Sequence, residues 1–318
     1  MKHLLLFSLF LITLIGAKAQ DIQSGLVARY SFCGNLNDLS GNENHGVYMN
    51  GVDPIYAEDH NGNANKAMYF NGFSDWVRVP ATESINSPTT AVTVSAWANY
   101  QSLAFGTWAS IFSKTDQFEL ETRSYSLGIN GETGQIYWHS TYVGQAPLQP
   151  NTWYHLAITY TPELLKCYLN GEFIGEAVPN EVMTPNEYAF EIGRDTPQTT
   201  DFFNGFIDEV NVFNRVLSDA DIAMLYLYDD CSAASVYDQQ WSGKVQVFPN
   251  PVSDYLMVNF EGQSNPREIR ILNALGQTIL VENTTEQYNK LDLSNLNPGA
   301  YILQISSEEG VYMQKIMR

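Results

Sequence analysis

The sequence has few basic residues, few cysteines and no long apolar run after its first 20 residues. Only 16 of its 318 residues are Lys or Arg, against 35 Asp or Glu, which gives a formal net charge of −19. A field of that sign repels nucleic acid and anionic membranes, and no basic patch offsets it. A membrane span needs roughly 18 apolar residues in a row. We therefore expect neither a nucleic-acid partner nor a membrane span.

The apolar run that is present lies at the start of the chain. Lys2 and His3 precede apolar residues 4–15, and Ala17-Lys18-Ala19 follow. This pattern predicts a secretory signal peptide, residues 1–19, that is cleaved after Ala19. Loss of its two lysines leaves 14 basic and 35 acidic residues, a net charge of −21. We expect a secreted protein.

Helical periodicity is almost absent after the signal peptide. Short strand-like runs bounded by turn residues recur as far as Phe213, which is typical of an all-β sandwich. Asn170-Gly171 is the strongest hairpin turn signal. The clearest helix start is Ser218, with Asp221 placed to complete a capping box.

Three cysteines in an exported chain allow one disulfide and one free thiol. Cys33 ends the first strand-like run and Cys231 follows the last helix. Because the first and last strands of a sandwich are usually neighbours, we expect Cys33 to pair with Cys231, leaving Cys167 as a buried free thiol. The alternative is three unpaired thiols.

Asp208 occupies an unusual place in the strand-like run that ends at Phe213. Strict alternation puts Asp208 on the same face as Val210 and Val212. A carboxylate near a core is costly unless it is paired, hydrogen-bonded or bound to a metal. We therefore expect Asp208 to have a partner from elsewhere in the chain.

Several segments before residue 229 resemble one known family. They are Asn37 to Gly46, Met68 to Gly72 with Asp75, Val92 to Trp97, Thr152 to Ala157, Tyr168 to Gly171 and Asn204 to Ser218. In order and at compatible spacing, they are similar to laminin-G-like domains of the concanavalin A-like lectin and glucanase superfamily. The resemblance implies that residues 20–228 form a two-sheet jelly roll, a fold that carries many functions.

A second unit, residues 244–318, follows a polar linker of residues 229–243. Pro249-Asn250-Pro251, residues 271–277, residues 291–301 and the basic end 315–318 are similar to the C-terminal sorting domain of type IX secretion. The resemblance implies a small immunoglobulin-like β-sandwich that outer-membrane secretion machinery reads. In that family the domain is normally cleaved, and the passenger is often attached to the cell surface.

Oxygen-bearing side chains are concentrated between Asp38 and His45. Calcium prefers carboxylate, amide and carbonyl oxygens, and calcium commonly binds in the family that the sequence resembles. We expect a structural calcium ion, for which Asp38, Asn42 and Asp208 are the best ligands. The full set of candidate ligands is Asp38, Asn42, Asn44, His45, Asp75 and Asp208. The alternative is a turn in which Asp and Asn bond their own backbone.

The aromatic residues divide into two groups. Trp97 and Trp153 lie within strand patterns and match core aromatics of the family, so we expect them to pack in the core. Four others lie in less regular or edge-like stretches: Trp108, Tyr137, Trp138 and Tyr142. Exposed rings there could stack on sugar rings, so these four are candidate glycan-binding residues. The alternative is that they bind no ligand.

An enzyme of the laminarinase type would use the same jelly roll. Such glycoside hydrolases need two carboxylates on one strand face. The nearest candidates, Glu119 with Glu121 and Asp208 with Glu209, do not complete the Glu-x-Asp-x-x-Glu pattern of that class. The sequence also lacks a Gly-x-Ser-x-Gly motif and histidines paired as in zinc sites. We therefore expect a protein that is not an enzyme.

Together these features predict an exported, non-catalytic binding or adhesion protein at the outer cell surface. Its expected partners are a polysaccharide or surface glycoprotein and the type IX secretion machinery. The alternatives are a divergent carbohydrate-active enzyme on the same jelly roll and a structural surface protein that binds a protein partner.

Overall fold

The computed structural model describes residues 22–101, 108–115, 122–144, 148–195, 201–227, 245–260, 267–273, 277–307 and 310–318. Within these ranges the chain forms two β-sandwiches, as predicted, of which the first is the larger. The predicted signal peptide and the linker 229–243 lie outside the described residues.

The first unit contains fifteen described strands and a helix. In chain order they are β1 (Leu26–Tyr30), β2 (Val47–Tyr48), β3 (Tyr56–Ala57), β4 (Ala67–Asn71), β5 (Val77–Val79), β6 (Val92–Tyr100), β7 (Trp108–Lys114), β8 (Tyr125–Asn130), β9 (Ile136–Trp138), β10 (Thr141–Val143), β11 (Tyr154–Thr161), β12 (Leu164–Leu169), β13 (Glu172–Ala177), β14 (Phe190–Ile192), β15 (Asn204–Phe213) and α1 (Asp219–Leu227).

These strands form two antiparallel sheets that pack face to face. The first sheet has the order β13-β12-β11-β6-β15-β4-β3, with β1 also paired to β15, and the second has the order β10-β9-β8-β7-β14-β5-β2. A single large apolar cluster lies between them. The first and last strands are neighbours, as a sandwich of this kind requires. The jelly-roll prediction is confirmed.

Two local predictions are also confirmed. Asn170 and Gly171, between β12 and β13, have φ angles of 51° and 81°, the left-handed backbone that a tight hairpin turn needs. The Asp221 N–H donates to Ser218 Oγ at 3.2 Å, and the Ser218 N–H donates to the Asp221 carboxylate at 3.1 Å. This reciprocal pair caps the N-terminus of α1.

β15 does not alternate strictly, so the predicted face of Asp208 is wrong. The register between β15 and β6 shifts between Asp208 and Asn211, and Glu209 has a φ of 46°. This bulge inserts an extra residue and reverses the alternation. Val210 and Val212 therefore face the core between the sheets, whereas Asp208 lies on the outer face of the first sheet.

The helix α1 packs against that same outer face. Its Ile222 and Leu225 join Leu26, Ala157 and Phe213 in an apolar cluster separate from the main core. No helix in the described ranges is long and apolar enough to cross a membrane.

The second unit is a smaller sandwich of two sheets. Its strands are β16 (Val245–Phe248), β17 (Tyr255–Phe260), β18 (Arg267–Leu272), β19 (Thr278–Thr284), β20 (Tyr288–Asp292), β21 (Ala300–Ser307) and β22 (Gly310–Met317). The sheet orders are β16-β17-β20 and β19-β18-β21-β22, and the unit has its own apolar core.

Candidate functional site

Three aromatic side chains meet on the outer face of the second sheet. Tyr142 on β10 lies opposite Tyr137 on β9. The Trp108 ring stacks on Tyr142, with centroids 5.5 Å apart and planes inclined by 22°, while Tyr137 meets Trp108 edge-on at 4.8 Å. Tyr142 is 40% exposed, and Tyr137 is buried. We call Trp108, Tyr137 and Tyr142 the aromatic platform; its partly exposed rings rest on a buried one.

Gly128 provides the space for this platform. Gly128 lies opposite Tyr137 in the pairing of β8 with β9. A Cβ atom added to Gly128 would lie 2.1 Å from Cζ of Tyr137. The Tyr137 ring can therefore lie against the sheet only because residue 128 has no side chain. The sequence alone did not indicate this role, because it depends on which residue is paired with Tyr137.

Polar groups surround the platform. Asn130 Nδ2 donates to the Tyr142 hydroxyl at 2.9 Å. Burial, and then the nearby charges of Asp195 and Asp201, raise the pKa of Tyr137 well above its ordinary value, so its hydroxyl remains protonated. Amide and carboxylate groups beside exposed rings can bond the hydroxyl groups of a ligand whose apolar face stacks on the rings.

Trp138 does not belong to the platform, and its prediction as an exposed glycan-binding ring is wrong. Its side chain is fully buried and stacks on Tyr160 in the core, with centroids 5.1 Å apart and planes inclined by 8°. Successive residues of β9 point to opposite faces. Tyr137 therefore faces outward and Trp138 faces the core.

The loop from Asp38 to His45 is closed by its own hydrogen bonds. The Asp38 carboxylate accepts from the N–H groups of Arg29 and Ser40 at 2.9 Å each, from the Ser40 hydroxyl at 2.7 Å and from the Asn44 N–H at 3.0 Å. His45 Nδ1 accepts from the Asp38 N–H at 3.1 Å. This is the arrangement expected of a turn in which polar side chains bond the backbone.

The two asparagines tie the same loop to β1 and its surroundings. Asn42 Nδ2 donates to the carbonyl oxygens of Leu26 and Val27 at 3.0 Å each. Asn44 is buried; its Nδ2 donates to the Val27 carbonyl at 2.9 Å and its Oδ1 accepts from the Thr82 hydroxyl at 2.7 Å.

The other two predicted calcium ligands have protein partners of their own. Asp75 accepts from the Asn71 N–H at 3.1 Å and from Asn71 Nδ2 at 2.9 Å, and Asp208 contacts His60. The described ranges contain no group of three or more His, Cys, Asp or Glu side chains suited to a metal. N–H and O–H donors occupy the Asp38 carboxylate, which as arranged leaves it no acceptor site free for a calcium ion. Calcium binding stays a prediction.

The partner that Asp208 requires is His60. His60 Nδ1 lies 3.2 Å from Asp208 Oδ2, and the His60 ring stacks on Trp97 at a centroid distance of 3.9 Å. Trp97 also stacks on Tyr226 of α1 at 5.4 Å. Trp97 is therefore buried as predicted, but on the outer face of the sheet. Beside it, burial lowers the pKa of His155 to about 3, so this imidazole is neutral.

The structure describes one of the two carboxylate pairs considered for catalysis. Glu119 and Glu121 lie outside the described residues, so nothing tests that pair. In the other pair, His60 holds Asp208, and Glu209 is buried at the bulge of β15.

Of the cysteines, Cys167 is a buried free thiol, as predicted, and burial raises its pKa to about 12. Cys231 lies outside the described residues, so the Cys33–Cys231 disulfide stays a prediction.

The fold and the sequence together define an exported jelly-roll protein with a secretion tail. The family model of the concanavalin A-like lectin/glucanases superfamily matches residues 70–223, and the model of the secretion system C-terminal sorting domain matches residues 246–318. Residues 70–223 of the first unit are thus similar to this superfamily, and residues 246–318 of the second unit are similar to the type IX sorting domain. That domain directs export to the cell surface or the extracellular space.

Solved structures share the fold at low sequence identity. Domain 4 of AbnA, a GH43 extracellular arabinanase from Geobacillus stearothermophilus, was solved with arabinotriose; it is 21% identical, with a TM-score of 0.50 over 64% of this chain and 98% of that one. The binding domain of Paraclostridial Mosquitocidal Protein 1 is 15% identical, with a TM-score of 0.51 over 90% of this chain and 76% of that one. The search of curated proteins found no match.

Proposed function

We propose that the exported jelly roll is a non-catalytic module that binds a neutral glycan at the aromatic platform. The observation that carries the proposal is the partly exposed stack of Trp108 and Tyr142, in which the buried Asn130 amide holds the Tyr142 hydroxyl. Sugar rings have apolar C–H faces that pack on aromatic rings, while amides and carboxylates bond their hydroxyl groups.

Two further facts support a neutral carbohydrate as the ligand. The formal net charge of −19 and the carboxylates of Asp195 and Asp201 near Tyr137 disfavour a polyanionic ligand. Arabinotriose, present in the AbnA domain 4 structure, is an uncharged oligosaccharide. A polysaccharide or a surface glycoprotein outside the cell would supply such a ligand.

The test is binding of the full chain to immobilised neutral and anionic polysaccharides, with an assay for released sugar. We expect saturable binding to a neutral glycan, and we expect Trp108→Ala and Tyr142→Ala each to weaken it about tenfold, which corresponds to about 1.4 kcal/mol. Phe173→Ala is the control, because Phe173 is 49% exposed but lies on β13 of the other sheet.

Three results would contradict the proposal. If both platform variants bind with wild-type affinity, the platform is not the binding site. If the protein prefers anionic polymers, the ligand is not a neutral glycan. Release of sugar would favour the carbohydrate-active enzyme instead.

A further inference from the structure

A row of four side chains crosses the outer face of the first sheet. Phe206 on β15 lies opposite Tyr69 on β4 and opposite Asn99 on β6. Trp153 immediately precedes β11, whose first residue pairs with Ala98, so Trp153 lies beside Asn99. We call Trp153, Asn99, Phe206 and Tyr69 the cross-strand row.

The three rings of this row are in contact and partly exposed. The ring centroids of Tyr69 and Phe206 are 5.4 Å apart, and those of Trp153 and Phe206 are 6.2 Å apart. Trp153 is thus not a core residue, contrary to the prediction. The row crosses three inter-strand spacings, about 14 Å. An outward sheet face is ordinarily polar, so three partly exposed rings in line form an apolar patch of the kind that binding surfaces carry.

Asn99 gives a second, independent indication. Its Oδ1 is buried and has no hydrogen-bond partner among the described residues. Buried amide oxygens are nearly always paired, and leaving one unpaired costs free energy. The strand register places this acceptor between the rings of Phe206 and Trp153. A ligand that moves one of these rings aside would expose this acceptor to a sugar hydroxyl.

The residues next to the row, on the same face of the sheet, hold it in place. The His60 ring stacks on Trp97 and meets Trp153 edge-on at 6.4 Å. The carboxylate of Asp208, in the same layer, is paired with His60. The row itself contains no charged side chain, so an uncharged ligand suits it.

We propose that the cross-strand row is a second carbohydrate-binding surface. It takes a short segment of a neutral glycan across the strands, with sugar faces on Tyr69, Phe206 and Trp153 and a sugar hydroxyl on Asn99. The row and the aromatic platform lie on opposite faces of the sandwich. One molecule therefore binds two glycan chains and bridges them. This surface shares the ligand class of the proposed function but depends on different residues.

The experiment compares binding and bridging by the full chain and its variants. Binding is measured on the neutral polysaccharide that retains the wild type, and bridging is measured as clumping of beads coated with that polysaccharide. We expect Tyr142→Ala to keep residual binding but lose bridging. In the triple variant, which adds Phe206→Ala and Trp153→Ala to Tyr142→Ala, the residual affinity should fall at least tenfold. Asn99→Ala is the milder variant if the triple variant does not fold, and Phe173→Ala is the control.

The outcomes separate the two surfaces. Complete loss of binding in Tyr142→Ala, or full bridging by a folded Phe206→Ala/Trp153→Ala protein, would overturn the second surface alone. If the Tyr142→Ala protein still binds but the Phe206→Ala/Trp153→Ala protein does not, the platform is not a binding site and the cross-strand row is. A wild type that binds no neutral glycan would overturn both.

Discussion

At the scale of single residues, hydrogen bonds to the Asp38 carboxylate organise the loop from Asp38 to His45. A bound cation could play the same part. Four N–H and O–H groups donate to its carboxylate. Asp38→Asn replaces one acceptor oxygen with a donor that faces other donors, so we expect a loss of about 2 kcal/mol in the free energy of unfolding. Because hydrogen bonds hold the loop, the loss in the free energy of unfolding should be the same in calcium as in chelator. Urea unfolding of the wild type and the variant measures it. A clearly larger loss in calcium would establish the ion as part of the site.

Two buried histidines should make the folded protein less stable as the pH is lowered. Burial lowers the pKa of His139 and of His155 to about 3, below the ordinary value of 6.5. Between these values the unfolded chain binds more protons than the folded one, so stability falls as the pH drops from about 6.5 towards 3. Each histidine contributes about 1.4 kcal/mol per pH unit.

The measurement is urea unfolding at several pH values for the wild type and His155→Phe. The phenyl ring keeps the contacts with Trp97 and Tyr226 but cannot titrate. Carboxylates titrate in the same range, so the comparison rests on the difference between the two proteins. Stability should fall less steeply with acid in the variant, by the contribution of one histidine. Parallel curves would mean that His155 takes up its proton in the fold as readily as in the unfolded chain.

At the scale of elements, the platform depends on the pairing of β8 with β9. Gly128→Ala places a methyl group against the Tyr137 ring. We expect it to cost about 1 to 3 kcal/mol of stability and to weaken glycan binding by displacing the ring that supports Trp108. Tyr137→Ala removes the obstructing ring, so the double variant should be more stable than the sum of the two single losses predicts. Strictly additive losses would contradict the steric explanation.

The same scale shows how far the sequence could predict the molecule. Turn and cap chemistry is local, so the Asn170-Gly171 turn and the Ser218 cap were predicted correctly. The face of Asp208 was not, because the bulge at Glu209 has no signature in period-2 alternation. Trp138 and Tyr137 could not be separated before the register of β9 was known. His60, which pairs with Asp208 across nearly 150 residues, is brought there only by the tertiary fold.

At the scale of the whole molecule, the adjacency of β1 and β15 brings the two ends of the jelly roll together. Cys33 follows β1 by three residues and Cys231 follows α1 by four. A disulfide between them would close a loop of about 200 residues and restrict the unfolded chain, for a gain of about 5 kcal/mol. We therefore expect Cys33→Ser to lower the free energy of unfolding by that order, and reducing agent to do the same to the wild type.

Thiol labelling measures the pairing directly. At pH 8 the native protein should take up almost no alkylating agent, because Cys167 is buried and its pKa is raised to about 12. Unfolded without reductant, it should expose one thiol, and Cys167→Ala should expose none. Labelling of Cys33 or Cys231 in the native wild type would show that the ends are not joined. The packing of β1 on β15 would then be the main contact closing the jelly roll.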